Sequence, residues 1–486
     1  MNERRKNIND PTPLARRAFL SDATAGLGSI ALASMLQSTT RGDTGDPDSV
    51  SSHGVIRHLH LPARAKRVIF LFLAGGPSHL DLFDPKPLLT RMDGKELPPE
   101  FLEFQPETAK ARNVTTTLKG SPFRFAKHGK SGTVVSELMP HLASMVDDIT
   151  VIRSLKTTTS VHDPGVNMMN CGTVLFGRPT LGAWISYGLG SENQNLPDFI
   201  VLTSGLMQGA QPLLQSFWGN GFLDSRHQGV PFLKGPEPVL FLNNPQGVTA
   251  QRRRKQLDLL AWMNRHQHEQ LHDPEILSRV AAYEMAFRMQ ASVPELTDLT
   301  QESSETLTAY GAVPGQHSFA NNCLLARRLV ERDVRFVQLY DRGWDSHTNI
   351  SVEHKRQCGA ADRAIAALLQ DLKQRGLLDE TLVICGGEFG RSPVSQVQGK
   401  TWGRDHHPHG FTMWLAGGGT RGGLTLGATD DFGYHAVEDI VHVRDLHATV
   451  LHLLGIDHRR FKLKVKGLDL GLTGVEPARV VKQILT

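Results

Sequence analysis

The densest concentration of chemically capable side chains is Arg404-Asp405-His406-His407-Pro408-His409, three imidazoles and a carboxylate within five residues. Imidazole nitrogens suit borderline cations such as zinc, so Asp405, His406, His407 and His409 read as candidate metal ligands. On an extended segment adjacent side chains point to opposite sides, so at least one of these histidines faces away from a shared ion. Asp345 and His347, within Gly343-Trp344-Asp345-Ser346-His347, stand two apart and project to the same side. Both can reach one hard or borderline cation, with Trp344 walling the site from water; a plain loop is the alternative.

Three further stretches offer matching chemistry. Gly386-Gly387-Glu388-Phe389-Gly390-Arg391 holds a carboxylate for a metal and a guanidinium for a tetrahedral anion, unless Glu388 and Arg391 form only a surface ion pair. His162 follows the hydroxyl run Thr157-Thr158-Thr159-Ser160, and it serves as a ligand, as a general acid or base, or as the cap of a turn. The hydroxyls could supply a nucleophile at a helix start, and nothing in the sequence selects one of them. Gly75-Gly76-Pro77-Ser78-His79-Leu80-Asp81 adds Asp81 as a ligand candidate, with a strand-to-helix turn capped by Ser78 as the competing reading. Cys385, in an apolar run, reads as a small buried hydrophobe.

These groups need elements that bring them together. Arg67–Ala74 is apolar after its first residue and ends in Gly-Gly-Pro, as a strand buried on both faces should. Shorter runs of the same kind lie at Ile149–Ile152, Phe199–Leu202, Val334–Tyr340, Thr381–Cys385 and Phe411–Leu415. Phe319–Arg332 and Val352–Leu372 have apolar residues at helical spacing, and strands alternating with such helices predict a mainly parallel sheet covered on both faces. Gln251–Gln290 predicts two highly charged outer helices broken at Asp273-Pro274. Residues 86–147 and 206–246 read as loop-rich insertions. In open sheets of this kind ligands gather at the carboxyl ends of the strands, and most of the candidate groups follow a strand directly.

Composition bounds the answer from outside. The chain has 486 residues, 40% hydrophobic and 21% charged, and its net charge of +4 lacks the clustered positive field of a nucleic-acid binder. Four scattered cysteines without a CxxC argue against a disulfide framework. Arg16-Arg17-Ala18-Phe19-Leu20 before a mild apolar stretch ending near Leu36 is similar to a twin-arginine export signal over residues 1–40, with a linker over 41–57 and one α/β domain over 58–486. No later segment reaches 18 apolar residues, so no stable membrane span is expected and the protein is placed in the periplasm or outside the cell.

Taken together, the export signal, Gly-Gly-Pro-Ser-His-Leu-Asp after the first strand, Gly-Trp-Asp-Ser-His, Gly-Glu-Phe-Gly-Arg-Ser-Pro and Gly-Arg-Asp-His-His-Pro resemble a sulfatase-like family of exported bacterial proteins. It is a domain-of-unknown-function family within the alkaline phosphatase superfamily. The resemblance implies a central, mostly parallel sheet sandwiched between helices, with loop insertions and a divalent-metal site at the strand ends. The histidine-rich donor set favours zinc, with calcium, magnesium or manganese as alternatives. By position, Asp345 and His347 correspond to an Asp/His ligand pair, Glu388 stands where an Asp-His is usual, and the late histidine falls in Asp405–His409. The expected Asp at the end of the first strand is replaced by Ala74-Gly75, leaving Asp81 as substitute, and no Cys/Ser-x-Pro-x-Arg nucleophile motif is present. Those departures weigh against a two-metal site and a covalent intermediate. The resulting expectation is an exported metal-dependent hydrolase of phosphate or sulfate esters, with Asp345, His347, Glu388 and His406 foremost among the ligands. His162 is expected as acid/base or metal partner and Arg391 as anion clamp. The alternative is a non-catalytic module that binds a sulfated or phosphorylated glycan.

Overall fold

The computed structural model describes residues 54–104, 115–205, 212–233, 238–239, 242–397, 399 and 401–486. The residues read as an export signal, 1–40, and most of those read as a linker, 41–57, lie outside the described residues. The strand order follows from the apolar runs. β1 is Arg67–Ala74, β2 Ile149–Lys156, β3 Phe199–Ser204 and β4 Val230–Phe232. β5 is Phe336–Arg342, β6 Thr381–Gly386, β7 Gly390–Ser395 and β8 Arg404–His407. β9 is Phe411–Ala416, β10 Leu424–Leu426 and β11 Val441–His442.

Among the described residues the central sheet has nine strands, in the order β10-β2-β9-β6-β1-β5-β3-β4, with β11 also paired to β2. Every pairing is parallel except those of β9, which runs antiparallel to β2 and β6. This is the expected α/β architecture, a mixed and mostly parallel sheet between helices. β7 and β8 form a separate antiparallel hairpin beside it.

Alternation along β1 explains the two cores. Val68, Phe70 and Phe72 point to one side, where they join Val166, Trp184 and Leu446. Those partners come from α1 (His162–Cys171), α2 (Leu181–Leu189) and, later in the chain, the helix Val443–Leu453. Ile69, Leu71 and Leu73 point to the other side, into a cluster with Met289, Cys323, Leu329 and Leu369. α3 (Ala250–Leu271), α4 (Pro274–Thr297), α5 (Phe319–Val330) and α6 (Ile350–Gln374) follow in order, and α4, α5 and α6 cover this second side. Each fully buried aliphatic or Phe side chain contributes about 1.5–3 kcal/mol, which is why a strand covered on both faces must be apolar throughout.

The break at Asp273-Pro274 falls where expected, with the Asp273 carboxylate accepting from Glu275 N–H and Pro274 at the first helical position. α3 keeps little apolar contact, burying Leu257 and Ala261 while exposing Leu259, Trp262 and Met263. β5 starts two residues later than the apolar run, because Asp333 takes a left-handed φ of 60° and Val334 N–H still donates to the carbonyl of Leu329 in α5. The strand then continues through Asp341 and Arg342 toward Asp345.

All the parallel strands share one carboxyl end. β9, running the other way, begins at that end, so the residues just before Phe411 reach the same edge as those just after β1, β2, β5 and β6. Glycine is required there. Gly75 has φ +120°, and a Cβ on it would come within 2.5 Å of Asp345 N and 2.8 Å of the Trp344 carbonyl carbon. The Trp344-Asp345 backbone lies directly on this α-carbon, so the position has no room for the Asp that the resemblance leads one to expect.

Candidate metal centre

Four side chains from three segments meet at this edge. Asp345 and His347 follow β5, His162 opens α1 after β2, and His406 comes from β8. Each offers a ligand atom within 4.8 Å of the others. The Nε2 atoms of all three histidines face the Asp345 carboxylate, His162 at 3.1 Å, His347 at 2.9 Å and His406 at 3.0 Å. Asp345 and His347 are 20% and 24% exposed, whereas His162 and His406 are buried, so the cluster opens to solvent on the Asp345–His347 side.

The far sides of the rings explain the orientation. His162 Nδ1 donates to Glu388 Oε1 at 2.7 Å, and the same carboxylate accepts the Gly75 N–H at 3.0 Å. His406 Nδ1 donates to the Ser160 carbonyl at 2.8 Å. An acceptor behind Nδ1 leaves the Nε2 lone pair pointing forward, the tautomer that binds metals. Phe389 packs against both rings, with centroids 5.1 Å from His162 and 4.6 Å from His406.

Charge supports a cation at the same place. Burial alone would lower the His162 pKa, but its bonds to Asp345 and Glu388 outweigh that and raise it to about 9. His406 goes the other way: burial, with Arg391 and His162 nearby, takes it down to about 3 despite Asp345. Asp345 is held far below the usual carboxylate range, since Arg391 and the three imidazoles overcome its burial. A neutral His406 has one ring proton, yet its two nitrogens face a carbonyl and a carboxylate. One lone pair is therefore aimed at an anion, an arrangement that a cation at Nε2 relieves. Three His and one Asp are a donor set that zinc accepts.

In metal-stripped protein the raised His162 pKa gives a signed prediction. Its contribution to stability is complete below the unfolded-state value near 6.5 and is lost as pH rises through about 9. Urea midpoints should therefore fall from pH 6 to pH 9.5, and the fall should be smaller in His162→Gln. Equal slopes in the two proteins would remove His162 as the cause.

The remaining candidates lie elsewhere. Glu388, expected as a ligand, stands behind His162. Asp405 lies behind His347, its Oδ1 3.9 Å from His347 Nδ1. Asp81 is fully buried in an ion pair with Arg404, 2.7 Å from Nε, and accepts from Ser78 Oγ at 2.5 Å. It therefore neutralises a guanidinium beneath the hairpin, away from the cluster. His407 projects to the opposite side of β8 from His406, its Nε2 donating to the Tyr434 carbonyl at 2.6 Å, and His409, just past the strand, has its ring 5.3 Å from that of His407 and 5.6 Å from that of His435. Strand alternation separates His407 from the cluster.

Arg391 also differs from its expected role. Its side chain is buried, with Nε donating to the Gly76 carbonyl at 2.8 Å, Nη1 to the Arg404 carbonyl at 3.0 Å and Nη2 to Asp345 Oδ1 at 2.7 Å. Nη2 also donates to the Gly75 carbonyl. A guanidinium so committed positions Asp345 and leaves little to offer an anion. Trp344 is fully buried and donates Nε1–H to Asp341 at 3.0 Å, so Phe389, rather than Trp344, walls the imidazoles. Cys171 sits at the far end of α1 from His162, and burial pushes its thiol up to about 12, which excludes an active thiolate near neutrality. Sequence reasoning did not single out Phe389 or the Ser160 carbonyl; the only signals are their places beside Glu388 and His162.

A family model described as "Protein of unknown function (DUF1501)" matches residues 65–485. A search of curated proteins gives no match. Among solved structures, the chain is similar to a protein in the alkaline phosphatase superfamily from Vibrio parahaemolyticus at 11% identity and TM-score 0.32, covering 84% of this chain and 73% of that one. The phosphonate monoester hydrolase of Silicibacter pomeroyi matches at 11% identity and TM-score 0.33, over 87% and 77% of the two chains. The C-terminal periplasmic domain of EcEptC from Escherichia coli, in complex with Zn, matches at 8% identity and TM-score 0.35, over 84% and 88%.

Proposed function

This chain belongs to the DUF1501 family, and from that premise we propose that it is an exported, metal-dependent hydrolase of phosphate or sulfate esters. The observation that carries this reading is the convergence of three imidazole Nε2 atoms on the Asp345 carboxylate at a solvent-reachable strand end. His162, Asp345, His347 and His406 would hold the cation. When bound it supplies Lewis-acid polarisation of a phosphoryl or sulfuryl oxygen. The chain's own residues do the rest: Glu388 and the Ser160 carbonyl hold two ring tautomers, Arg391 fixes Asp345, and Phe389 keeps water from the buried flank. Formal charge points to a divalent ion, since Asp345, Glu388 and Asp405 are offset only by Arg391 before any histidine is protonated.

The position of the cluster at the carboxyl ends of the parallel strands, where open α/β sheets bind ligands, supports this reading. Twin-arginine-like residues Arg16-Arg17 support export, and among the described residues no helix is long and apolar enough to cross a membrane. A second reading has its own support: Gly75 excludes the usual strand-end carboxylate and Arg391 is committed to backbone carbonyls and Asp345, which suits a module that binds a sulfated or phosphorylated glycan without turning it over.

Metal analysis of the purified protein, with a panel of aryl phosphate and aryl sulfate esters, separates the readings. The hydrolase is expected to carry about one metal per chain and to turn over at least one ester class. Activity should drop at least about 100-fold in His406→Ala, as loss of a group essential to electrostatic catalysis does. Metal and glycan binding without turnover would instead establish the module, and absence of metal would overturn the proposed centre.

A further inference from the structure

Two of the three imidazoles in the cluster have a partner behind Nδ1, and the third does not. His347 Nδ1 is buried and without a hydrogen-bond partner. So are both carboxylate oxygens of Asp405, a residue only 2% exposed. The two groups face each other, with Asp405 Oδ1 3.9 Å from His347 Nδ1. A buried carboxylate with no donor is costly, and so is a buried ring nitrogen with no acceptor. One contact, closed by a shift of about an ångström in the ring or the carboxylate, gives the ring nitrogen an acceptor and Asp405 Oδ1 a donor.

We propose that Asp405 is the positioning carboxylate of His347, accepting its Nδ1–H when the cluster holds a divalent cation. The inference rests on the metal reading above and adds a role that the sequence reading, with Asp405 as a ligand, did not contain. Every ring in the cluster then has the same arrangement: Nε2 toward the cation, Nδ1–H donated backward, to Glu388 for His162, to the Ser160 carbonyl for His406 and to Asp405 for His347. The fold holds Asp405 in place from both sides. Arg404 is pinned to Asp81, and the ladder between β7 and β8 slips between Arg404–Ser395 and His406–Arg391, right at Asp405. Irregularities of this kind re-aim side chains next to active sites. His347 is also the most exposed of the three rings, so it has the greatest need of a partner to fix its orientation.

A double-mutant cycle on zinc affinity, measured by chelator competition, tests the role. Asp405→Ala should weaken zinc about 10–100-fold, as loss of an outer-shell partner does, and Asp405→Asn, which keeps an acceptor oxygen, should weaken it less. In a His347→Ala background Asp405→Ala should change affinity less than about twofold, because the ring it acts through is gone. Wild-type affinity in Asp405→Ala, or an equal loss with and without His347, overturns the inference while leaving the metal reading intact. Wild-type protein that binds no zinc, manganese, magnesium or calcium overturns both. Thermal midpoints of the metal-stripped variants show whether Asp405→Ala still folds, and if it does not, Asp405→Asn carries the cycle.

Discussion

Asp345→Asn protein, stripped of metal and titrated with zinc, is expected to bind about a thousandfold more weakly than the wild type. The side chain keeps its shape, so the loss isolates charge. Removing one partner of a buried charged contact costs about 3–5 kcal/mol, and about 4 kcal/mol is three powers of ten in affinity. Asp345 is the anion that all three Nε2 atoms face and that Arg391 holds in place. Without it, three lone pairs and a guanidinium would surround an uncharged amide. Zinc at a hundred times its dissociation constant should stabilise the wild type by about 2.7 kcal/mol, and the same concentration should leave Asp345→Asn almost unmoved. A thermal shift of wild-type size in the variant would show that the cation binds elsewhere.

How far the site could be read beforehand depends on whether its contacts are local. Asp345 and His347 were legible because two-residue spacing on an extended segment fixes their common side without any knowledge of the fold. The same rule says that the histidines of Arg404–His409 divide between two faces, but it does not say which is inward, since that depends on the packing of β8 against β7. β1 was legible from an unbroken apolar run, and the α3–α4 break from a cap and a proline. β7 and β8 were not, because a short polar hairpin off the main sheet has no apolar period to detect. The role of Glu388 depends on a partner 226 positions away, and Asp81 meets Arg404 across 323. Residue type identified both as candidates; only tertiary folding assigned one to an imidazole and the other to a guanidinium. A carboxylate behind a ligand and a carboxylate on the metal look alike in sequence.

Arg391→Met is expected to lower folding stability by about 3–5 kcal/mol, the usual cost of breaking a buried ionic contact by removing one side of it. Methionine fills similar space, so the change tests the donors. Arg391 bonds the carbonyls of Gly75, Gly76 and Arg404 together with the Asp345 carboxylate, joining the end of β1, the loop after β5 and the β7–β8 hairpin. Deleting it removes the donor to three backbone carbonyls and the cation beside Asp345 at the point where three chain segments meet. The positive charge is needed as much as the fork, because the Arg391 guanidinium is bonded directly to the Asp345 carboxylate at 2.7 Å. Arg391→Lys should recover less than half of the lost stability, since one ammonium cannot span acceptors on three segments. Urea unfolding of the metal-stripped proteins measures this without interference from binding. A loss below about 1 kcal/mol, the range of an exposed ion pair, would mean that Arg391 is free to leave Asp345 and could after all meet an anionic substrate.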